Sequence, residues 1–249
     1  MIAGLLGAVR LLTVIPAGGA EGGRPVRFFP LVGWLFAGLW LLLAQAAEVI
    51  GANAGAGALL SAALMVLASG LLSGFLHWDG LADCADGLGV RGDAARRLEV
   101  MRSSTVGAFG VAAIVFAALV QTAAIAVILE SGTLWGLAAA PVLGRLGATL
   151  ALGLRDPARP DGLGARYASR LPVTAVLAAA LLVLPLLGWR PESYPTLAVA
   201  TAAGLAVALF APEPFVRRLG GVTGDVAGAT ILLTETAVLV MAAFAGGPL

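Results

Sequence analysis

The sequence predicts an all-α membrane protein, a bundle of about seven transmembrane helices preceded by a short N-terminal helix. Of the 249 residues, 60% are hydrophobic and only 12% are charged, whereas about a quarter of the residues in a soluble domain are charged. Several apolar stretches are long enough to cross a bilayer core of roughly 30 Å as helices. An open sheet could not satisfy its backbone in lipid. We expect residues 1–249 to form a single integral membrane domain.

The elements follow from the order of the apolar stretches. The first stretch, MIAGLLGAVRLLTVIPA, is interrupted by Arg10 and lacks the basic start of a signal peptide. We expect a short helix there that lies at the membrane interface or packs against the bundle, and that ends at Pro16. Seven predicted spans follow, at 29–50, 58–78, 106–129, 133–154, 172–189, 195–211 and 226–245.

The charged connections predict the orientation. Arginine supplies every basic side chain, and most arginines fall before the first span or within the connections 79–105, 155–171 and 212–225. The links between them are short and nearly uncharged. The positive-inside rule places the arginine-bearing connections in the cytoplasm. We therefore expect an integral protein of a bacterial or archaeal cytoplasmic membrane, with its site on the cytoplasmic face.

Composition excludes several kinds of site. The formal net charge is +1, which argues against nucleic acid as a partner. His77 is the only histidine and Cys84 the only cysteine. An intrachain disulfide, a thiolate metal cluster and a zinc site built from several histidines are therefore excluded.

Three aspartates follow the second span, in the stretch HWDGLADCADGLG. If the helix of that span continues past His77, then Asp79, Asp83 and Asp86 project from one stripe of it. Like charges so close repel one another, and a divalent cation with a preference for oxygen ligands would relieve the repulsion. The sequence thus predicts a site for Mg²⁺, Mn²⁺ or Ca²⁺. The alternative is a set of solvated acids that cap helix ends beside arginines.

The rest of this connection indicates a phosphate site. Arg96, Arg97 and Arg102 follow the aspartates, and a guanidinium group binds phosphate oxygens in pairs. Glu99 lies among them, where it could instead pair with one of these arginines. Hydroxyl residues precede the third span and could cap its helix or contact an anion at its N-terminus; they are Ser103, Ser104 and Thr105.

Further candidates lie outside that connection. Arg145 falls inside the fourth span, where a charge indicates function or an internal salt bridge, for instance to Glu235. Thr223 and Asp225 belong to the glycine-rich stretch GGVTGD, which could cradle phosphate or complete a metal site, or could be a plain turn with an N-cap. His77 could contact substrate or accept a proton, or could be an ordinary interfacial residue.

Together these motifs resemble the cobalamin synthase (adenosylcobinamide-GDP ribazoletransferase) family over about residues 10–240. The resemblance is carried by FFPLVGWL (28–35), GFLHWDGLADCADGLG (74–89), RRLEVMRSSTVGAFG (96–110), Arg145, GLG (162–164) and GGVTGDVAGATILLTE (220–235). One segment departs from the family pattern. Where the family usually has Asp-Ser-Arg, this chain has Ser103, Ser104 and Thr105, so that only Ser104 matches.

The resemblance implies a Mg²⁺-dependent transfer, with Mn²⁺ as an alternative ion, from adenosylcobinamide-GDP to α-ribazole or its 5′-phosphate, with release of GMP. It implies catalytic roles for His77 and Asp86 and metal binding by Asp79, Asp83, Asp86 and Asp225. The expected substrate-binding residues are Arg96, Arg97, Glu99, Arg102, Ser104, Arg145, Thr223 and Glu235.

Two other functions stay open at this point. One is a lipid enzyme similar to CDP-alcohol phosphotransferases, an analogy of chemistry alone. The other is a corrinoid or cation transporter, which would carry acids near the bilayer midplane. The lipid bilayer is an expected partner in every case. The sequence leaves open whether the chain forms a homo-oligomer or associates with other enzymes of the corrinoid pathway.

Overall fold

The computed structural model describes residues 1–18, 24–167, 177, 181 and 194–246. In this part of the chain the regular elements are all helical. In order they are α1 (Ile2–Leu12), a 3₁₀ helix (Pro25–Phe28), α2 (Phe29–Val49), α3 (Gly55–Leu72), α4 (Leu76–Gly89), α5 (Ala94–Val100), α6 (Ala108–Ser131), α7 (Trp135–Leu154), α8 (Leu163–Tyr167), α9 (Tyr194–Phe210), α10 (Glu213–Leu219) and α11 (Gly224–Gly246).

Six helical segments are long and apolar enough to cross a membrane: Pro25–Val49, Gly55–Leu72, Ala108–Ser131, Trp135–Leu154, Pro195–Leu219 and Gly224–Ala245. They correspond to six of the predicted spans, so the prediction of an all-helical membrane protein is confirmed. The remaining predicted span, 172–189, lies almost wholly outside the described residues.

Helix α7 is the centre of the bundle. It packs against α2, α9 and α11 and is buried along almost its whole length. Small residues allow this close packing. A Cβ atom on Gly33 of α2 would lie 2.6 Å from the Cα atom of Val142, and one on Gly144 would lie 2.8 Å from Cγ of Glu235. Apart from Leu154 at its end, which is exposed, the residues of α7 are therefore enclosed by other helices.

The second predicted span differs from the prediction at its end. Helix α3 stops at Leu72, and the aspartates lie on a separate helix, α4, that begins at Leu76. Gly74 and Phe75 both adopt left-handed backbone conformations, with φ values of 60° and 57°. The Phe75 N–H donates a 2.7 Å hydrogen bond to the Gly70 carbonyl and ends α3. The break redirects α4 away from the axis of α3.

The N-terminal helix packs against the bundle, which was one of the two predicted positions for it. Helix α1 contacts the 3₁₀ helix and α2, and Ala8 and Leu12 are buried. Just after α1, the Val14 N–H donates a 2.8 Å hydrogen bond to the Leu72 carbonyl at the end of α3. The end of α1 is thereby fixed close to the start of α4.

Two connections meet beside the start of α11. The Ala158 N–H donates to the Val222 carbonyl and the Val222 N–H donates to the Asp156 carbonyl, both at 2.9 Å. A Cβ atom on Gly221 would lie 2.5 Å from the Ala158 nitrogen, so only glycine permits this approach. The pairing fixes the connection after α7 against the glycine-rich stretch that precedes α11.

Candidate active site

The three aspartates of α4 lie beside the N-terminus of α11. A Cβ atom on Gly80 would lie 2.7 Å from the Asp225 carbonyl oxygen, so the two backbones touch. Partial burial, followed by the negative charges of Asp79, Asp225 and Asp86, raises the pKa of Asp83 to about 7. Four carboxylates therefore act on one another at this end of the bundle, as the sequence predicted for the three on α4.

Asp86 also has a structural contact that the sequence did not reveal. Its carboxylate accepts hydrogen bonds from the backbone N–H groups of Gly107, at 2.6 Å, and Gly110, at 2.8 Å. These groups belong to the first turn of α6, which no hydroxyl side chain caps. The prediction that residues 103–105 cap this helix is wrong, because α6 begins at Ala108, beyond their reach, and Asp86 supplies the cap from α4.

The acidic side chains bear on the predicted metal site in two ways. Within the described ranges, no group of three or more His, Cys, Asp or Glu residues is arranged to hold a metal ion. The chemistry of the donors nevertheless fits a hard divalent cation, because Asp79, Asp83 and Asp225 supply oxygen ligands whose charges repel one another. Asp86 fits less well, since both of its carboxylate oxygens already accept backbone N–H groups.

A cavity of about 170 Å³ adjoins the aspartates. It lies between α1, α4, α7, α8 and α11, beside the paired connections. Its polar lining residues are His77, Arg159, Asp161, Tyr167, Thr223 and Asp225. Three residues predicted from the sequence, His77, Thr223 and Asp225, are thereby brought to one space, although they are separated by almost 150 positions in the chain.

Asp225 is held by two neighbouring side chains. The Thr223 hydroxyl donates a 3.2 Å hydrogen bond to Oδ2 of Asp225 and accepts one of 3.2 Å from the Val226 N–H. Nη2 of Arg159 lies 3.5 Å from the same Oδ2 atom. Arg159 was not singled out in the sequence, because it is one of several arginines in its connection and belongs to no motif. Only the pairing of the two connections brings it to Asp225.

His77 lines the cavity with an unused nitrogen. The residue is only 3% exposed, and its Nε2 atom is buried with no hydrogen-bond partner among the described residues. Burial, assisted by the positive charge of Arg145, lowers the pKa of His77 well below its usual value. The ring is therefore neutral at physiological pH, and Nε2 makes no hydrogen bond to the described residues.

Arg145 and Glu235 bind each other in the core of the bundle. Both are almost completely buried, and Nη1 of Arg145 donates to a carboxylate oxygen of Glu235. The Arg145 guanidinium also lies 3.8 Å from the centroid of the Phe36 ring. Neither residue lines the 170 Å³ cavity. Of the two roles considered for Arg145, the structure shows the internal salt bridge, and a contact with substrate stays a prediction.

Among the other predicted substrate-binding residues, Arg96 and Glu99 form an exposed pair with a distance of 2.7 Å. The sequence offered pairing of Glu99 with an arginine as the alternative to phosphate binding, with Arg102 at the expected helical spacing, and the structure pairs Glu99 with Arg96 instead. Arg102 lies 3.5 Å from Asp161, also in an exposed position. Ser104 is exposed as well. Their side chains lie at the surface, outside the cavity, although Asp161 itself lines it.

Arg97 supports the end of α4. Its Nη1 atom donates to the carbonyl groups of Gly87 and Leu88, at 2.8 and 2.9 Å. These carbonyls belong to the last turn of α4, where the helix has no further N–H donors for them. A cation is favourable at a helix C-terminus. The contact assigns Arg97 to the positioning of α4, because both of these hydrogen bonds end on that helix.

The fold and the site together define an integral membrane protein with an acidic, arginine-containing cavity at one end of its helix bundle. Comparison of the chain with family models identifies the family of membrane proteins to which it belongs. Residues 4–243 match the model described as cobalamin-5-phosphate synthase. The chain belongs to this family.

Relatives with known names agree with this membership. The adenosylcobinamide-GDP ribazoletransferase of Pseudomonas entomophila is 42% identical over 225 residues, which are 88% of this chain and 87% of the relative. The protein of the same name from Stutzerimonas stutzeri is 40% identical over 222 residues, 88% and 86% of the two chains. That of Azorhizobium caulinodans is 41% identical over 240 residues, 90% and 88%. No solved structure matches the chain.

Proposed function

We propose that the protein transfers the adenosylcobinamide phosphoryl group from adenosylcobinamide-GDP to α-ribazole or to α-ribazole 5′-phosphate and releases GMP. The names of its relatives support this reaction. The observation that carries it for this chain is the convergence of His77, Arg159, Thr223 and Asp225 on one cavity beside Asp83. A neutral base, a cation and several carboxylates are the groups that displacement at a diphosphate requires.

The carboxylates would serve a divalent cation. Asp79, Asp83 and Asp225 would hold Mg²⁺, with Mn²⁺ as the alternative. When bound, such an ion neutralises phosphate charge and stabilises the departing nucleotide. In this proposal Asp86 holds α4 against the start of α6 through Gly107 and Gly110. This contact fixes the position of the other aspartates relative to the start of α6 before any ion binds.

Arg159 is suited to bind the diphosphate. Its guanidinium is mostly buried, with 19% of the side chain exposed, and its partner Asp225 is 3.5 Å away. A distance of this length is a weak ion pair, so the fork of N–H donors can turn to phosphate oxygens without the loss of a strong bond. The N-terminus of α11 lies at the same place, and its partial positive charge also favours an anion.

His77 is the proposed proton acceptor. In the tautomer protonated at Nδ1, Nε2 takes the proton of the ribose hydroxyl as its oxygen attacks the phosphorus that carries adenosylcobinamide. A new phosphorus–oxygen bond forms, the bond from that phosphorus to the GMP oxygen breaks, and GMP leaves with the bonding electron pair. The low pKa of His77 keeps the ring neutral and ready for this role.

The reaction is tested with the purified protein in detergent. With Mg²⁺, adenosylcobinamide-GDP and α-ribazole, we expect release of GMP in step with formation of the corrinoid product. An absence of GMP would overturn the proposal. A lipid alcohol that replaces α-ribazole as acceptor would instead indicate a lipid enzyme, and uptake of a corrinoid into liposomes without turnover would indicate a transporter. Pairing of Glu235 with Arg145 removes one mid-bilayer acid that a transporter would use.

The site is proposed to face the cytoplasm of a bacterial or archaeal cell. The arginine-bearing connections at this end of the bundle support that orientation. Cys84 is buried, so single introduced cysteines can report on each side. Arg218→Cys, on exposed α10, should react with an impermeant reagent in inside-out vesicles only. Ser131→Cys, at the opposite end of α6, should react in right-side-out vesicles only, and the reverse pattern would refute the orientation.

A further inference from the structure

We infer that the 170 Å³ cavity is the binding site for the flat aromatic base of the nucleoside acceptor. This inference rests on the proposed function and deepens it, because it assigns the cavity to one of the two substrates. The cavity size, the residues of its wall and the unpartnered nitrogen of His77 each support the assignment.

The size of the cavity selects a small ring system. An apolar cavity of about 150 Å³ in another protein binds benzene. A cavity of about 170 Å³ therefore accommodates an aromatic ring system of similar scale, and the ribose can extend from it. It is far too small for a corrinoid ring. The corrinoid part of the donor must lie elsewhere.

The deep wall of the cavity is apolar. Leu11 and Leu12 of α1, Phe29 of α2, Leu152 of α7 and Ile231 of α11 contribute to it. A flat apolar ring gains free energy when it leaves water for such a wall. Guanine carries hydrogen-bonding groups on most of its edge, and those groups would be left unpaired there. The wall thus favours a benzimidazole-type base over the base of the departing nucleotide.

His77 supplies the polar contact that such a base needs. Nε2 is buried and unpartnered within the described part of the chain, and an unmet buried donor or acceptor costs about 1–3 kcal/mol. A ribose hydroxyl of the ligand can donate to it. Thr223, Asp225 and Arg159 supply the remaining polar lining. A base held in the cavity would therefore place its ribose close to the proposed diphosphate site.

The experiment fills the cavity with a side chain. Ala165 lies on the short helix α8 and contributes to the cavity wall, so Ala165→Leu should fill part of it without disturbing the central helices. The matched control is Ala95→Leu, the same change on the short exposed helix α5. The correct folding of each variant is checked by its thermal unfolding in detergent.

Binding of α-ribazole is measured by titration calorimetry without donor and without metal. We expect wild type and Ala95→Leu to bind it equally, and Ala165→Leu to weaken binding about tenfold or more through loss of the apolar contact. In turnover, Ala165→Leu should raise KM for α-ribazole about tenfold and leave KM for the donor unchanged. Unchanged binding by Ala165→Leu, a raised KM for the donor instead, or no binding by wild type would overturn the inference. Cavity-dependent binding of α-ribazole without GMP release would refute the proposed function and leave the cavity assignment standing.

Discussion

The carboxylate of Asp86 accepts hydrogen bonds from the backbone N–H groups of Gly107, at 2.6 Å, and Gly110, at 2.8 Å. One aspartate of the acidic stretch on α4 thereby caps α6. A Cβ atom on Gly107 would lie 2.5 Å from Oδ1 of Asp86, so the carboxylate and the turn fit only with glycine at that position. The structural and chemical roles of the three aspartates are therefore separable by mutation.

Replacement of Asp86 should affect folding before it affects chemistry. Because Asp86→Ala leaves N–H groups of the first turn of α6 without an acceptor, we expect a loss of about 1–2 kcal/mol in stability. Asp86→Asn retains one acceptor oxygen and should fall between the alanine variant and wild type. The measurement is thermal unfolding in detergent, with Ser103→Ala as the control that should change nothing. An unfolding temperature of Asp86→Ala equal to that of wild type would contradict the capping role.

Asp83→Asn should have the opposite effect. Since partial burial and the three neighbouring carboxylates raise the pKa of Asp83, removal of its charge relieves both costs, and the variant should unfold at or above the temperature of wild type. It also removes an anionic ligand, so Mg²⁺-dependent release of GMP should fall by about a hundredfold or more. Binding of Mn²⁺, followed by electron paramagnetic resonance, should weaken in parallel. Wild-type rates and wild-type Mn²⁺ affinity in Asp83→Asn would exclude the metal role.

Hydropathy alone was enough to predict six of the helices, because about 20 consecutive apolar residues have no other stable form in a bilayer. It failed at the end of α3. The apolar run continues through Phe75 and Leu76. Hydropathy does not report backbone conformation, so it could not predict the left-handed conformation of Phe75 that ends the helix. Gly74 was the available signal, since glycine often follows the last turn of a helix.

Arg159→Ala tests the anion site. If Arg159 donates charge-assisted hydrogen bonds to the diphosphate, its loss should cost about 1.5–3 kcal/mol of binding, a rise of roughly 10- to 150-fold in KM for the donor. The KM for α-ribazole should change much less. Arg218→Ala, on the exposed face of α10, is the matched control for loss of one positive charge. An equal rise in KM for the donor in both variants would show that Arg159 acts only through its positive charge and does not contact the diphosphate.

Arg159 also marks the limit of inference from the sequence at this site. The residues that carry motifs, His77, Thr223 and Asp225, were all predicted, and the structure brings them to one cavity. Arg159 reaches it only because the Ala158 and Val222 backbones pair across two distant connections. Such a contact depends on tertiary structure, and neither spacing nor composition encodes it.

Arg145 and Glu235 should behave as a mutually dependent pair. Loss of one partner from a buried salt bridge leaves an uncompensated charge, so Arg145→Met or Glu235→Leu alone should cost about 3–5 kcal/mol of stability. The double variant replaces both charges with apolar side chains and should regain most of that loss. Unfolding temperatures of the four proteins form a double-mutant cycle. Additive losses would show that the two side chains do not depend on each other. A different outcome would overturn the structural role: Arg145→Met unfolds like wild type but raises KM for the donor. The predicted contact between Arg145 and substrate would then explain the result, because binding would change while folding does not.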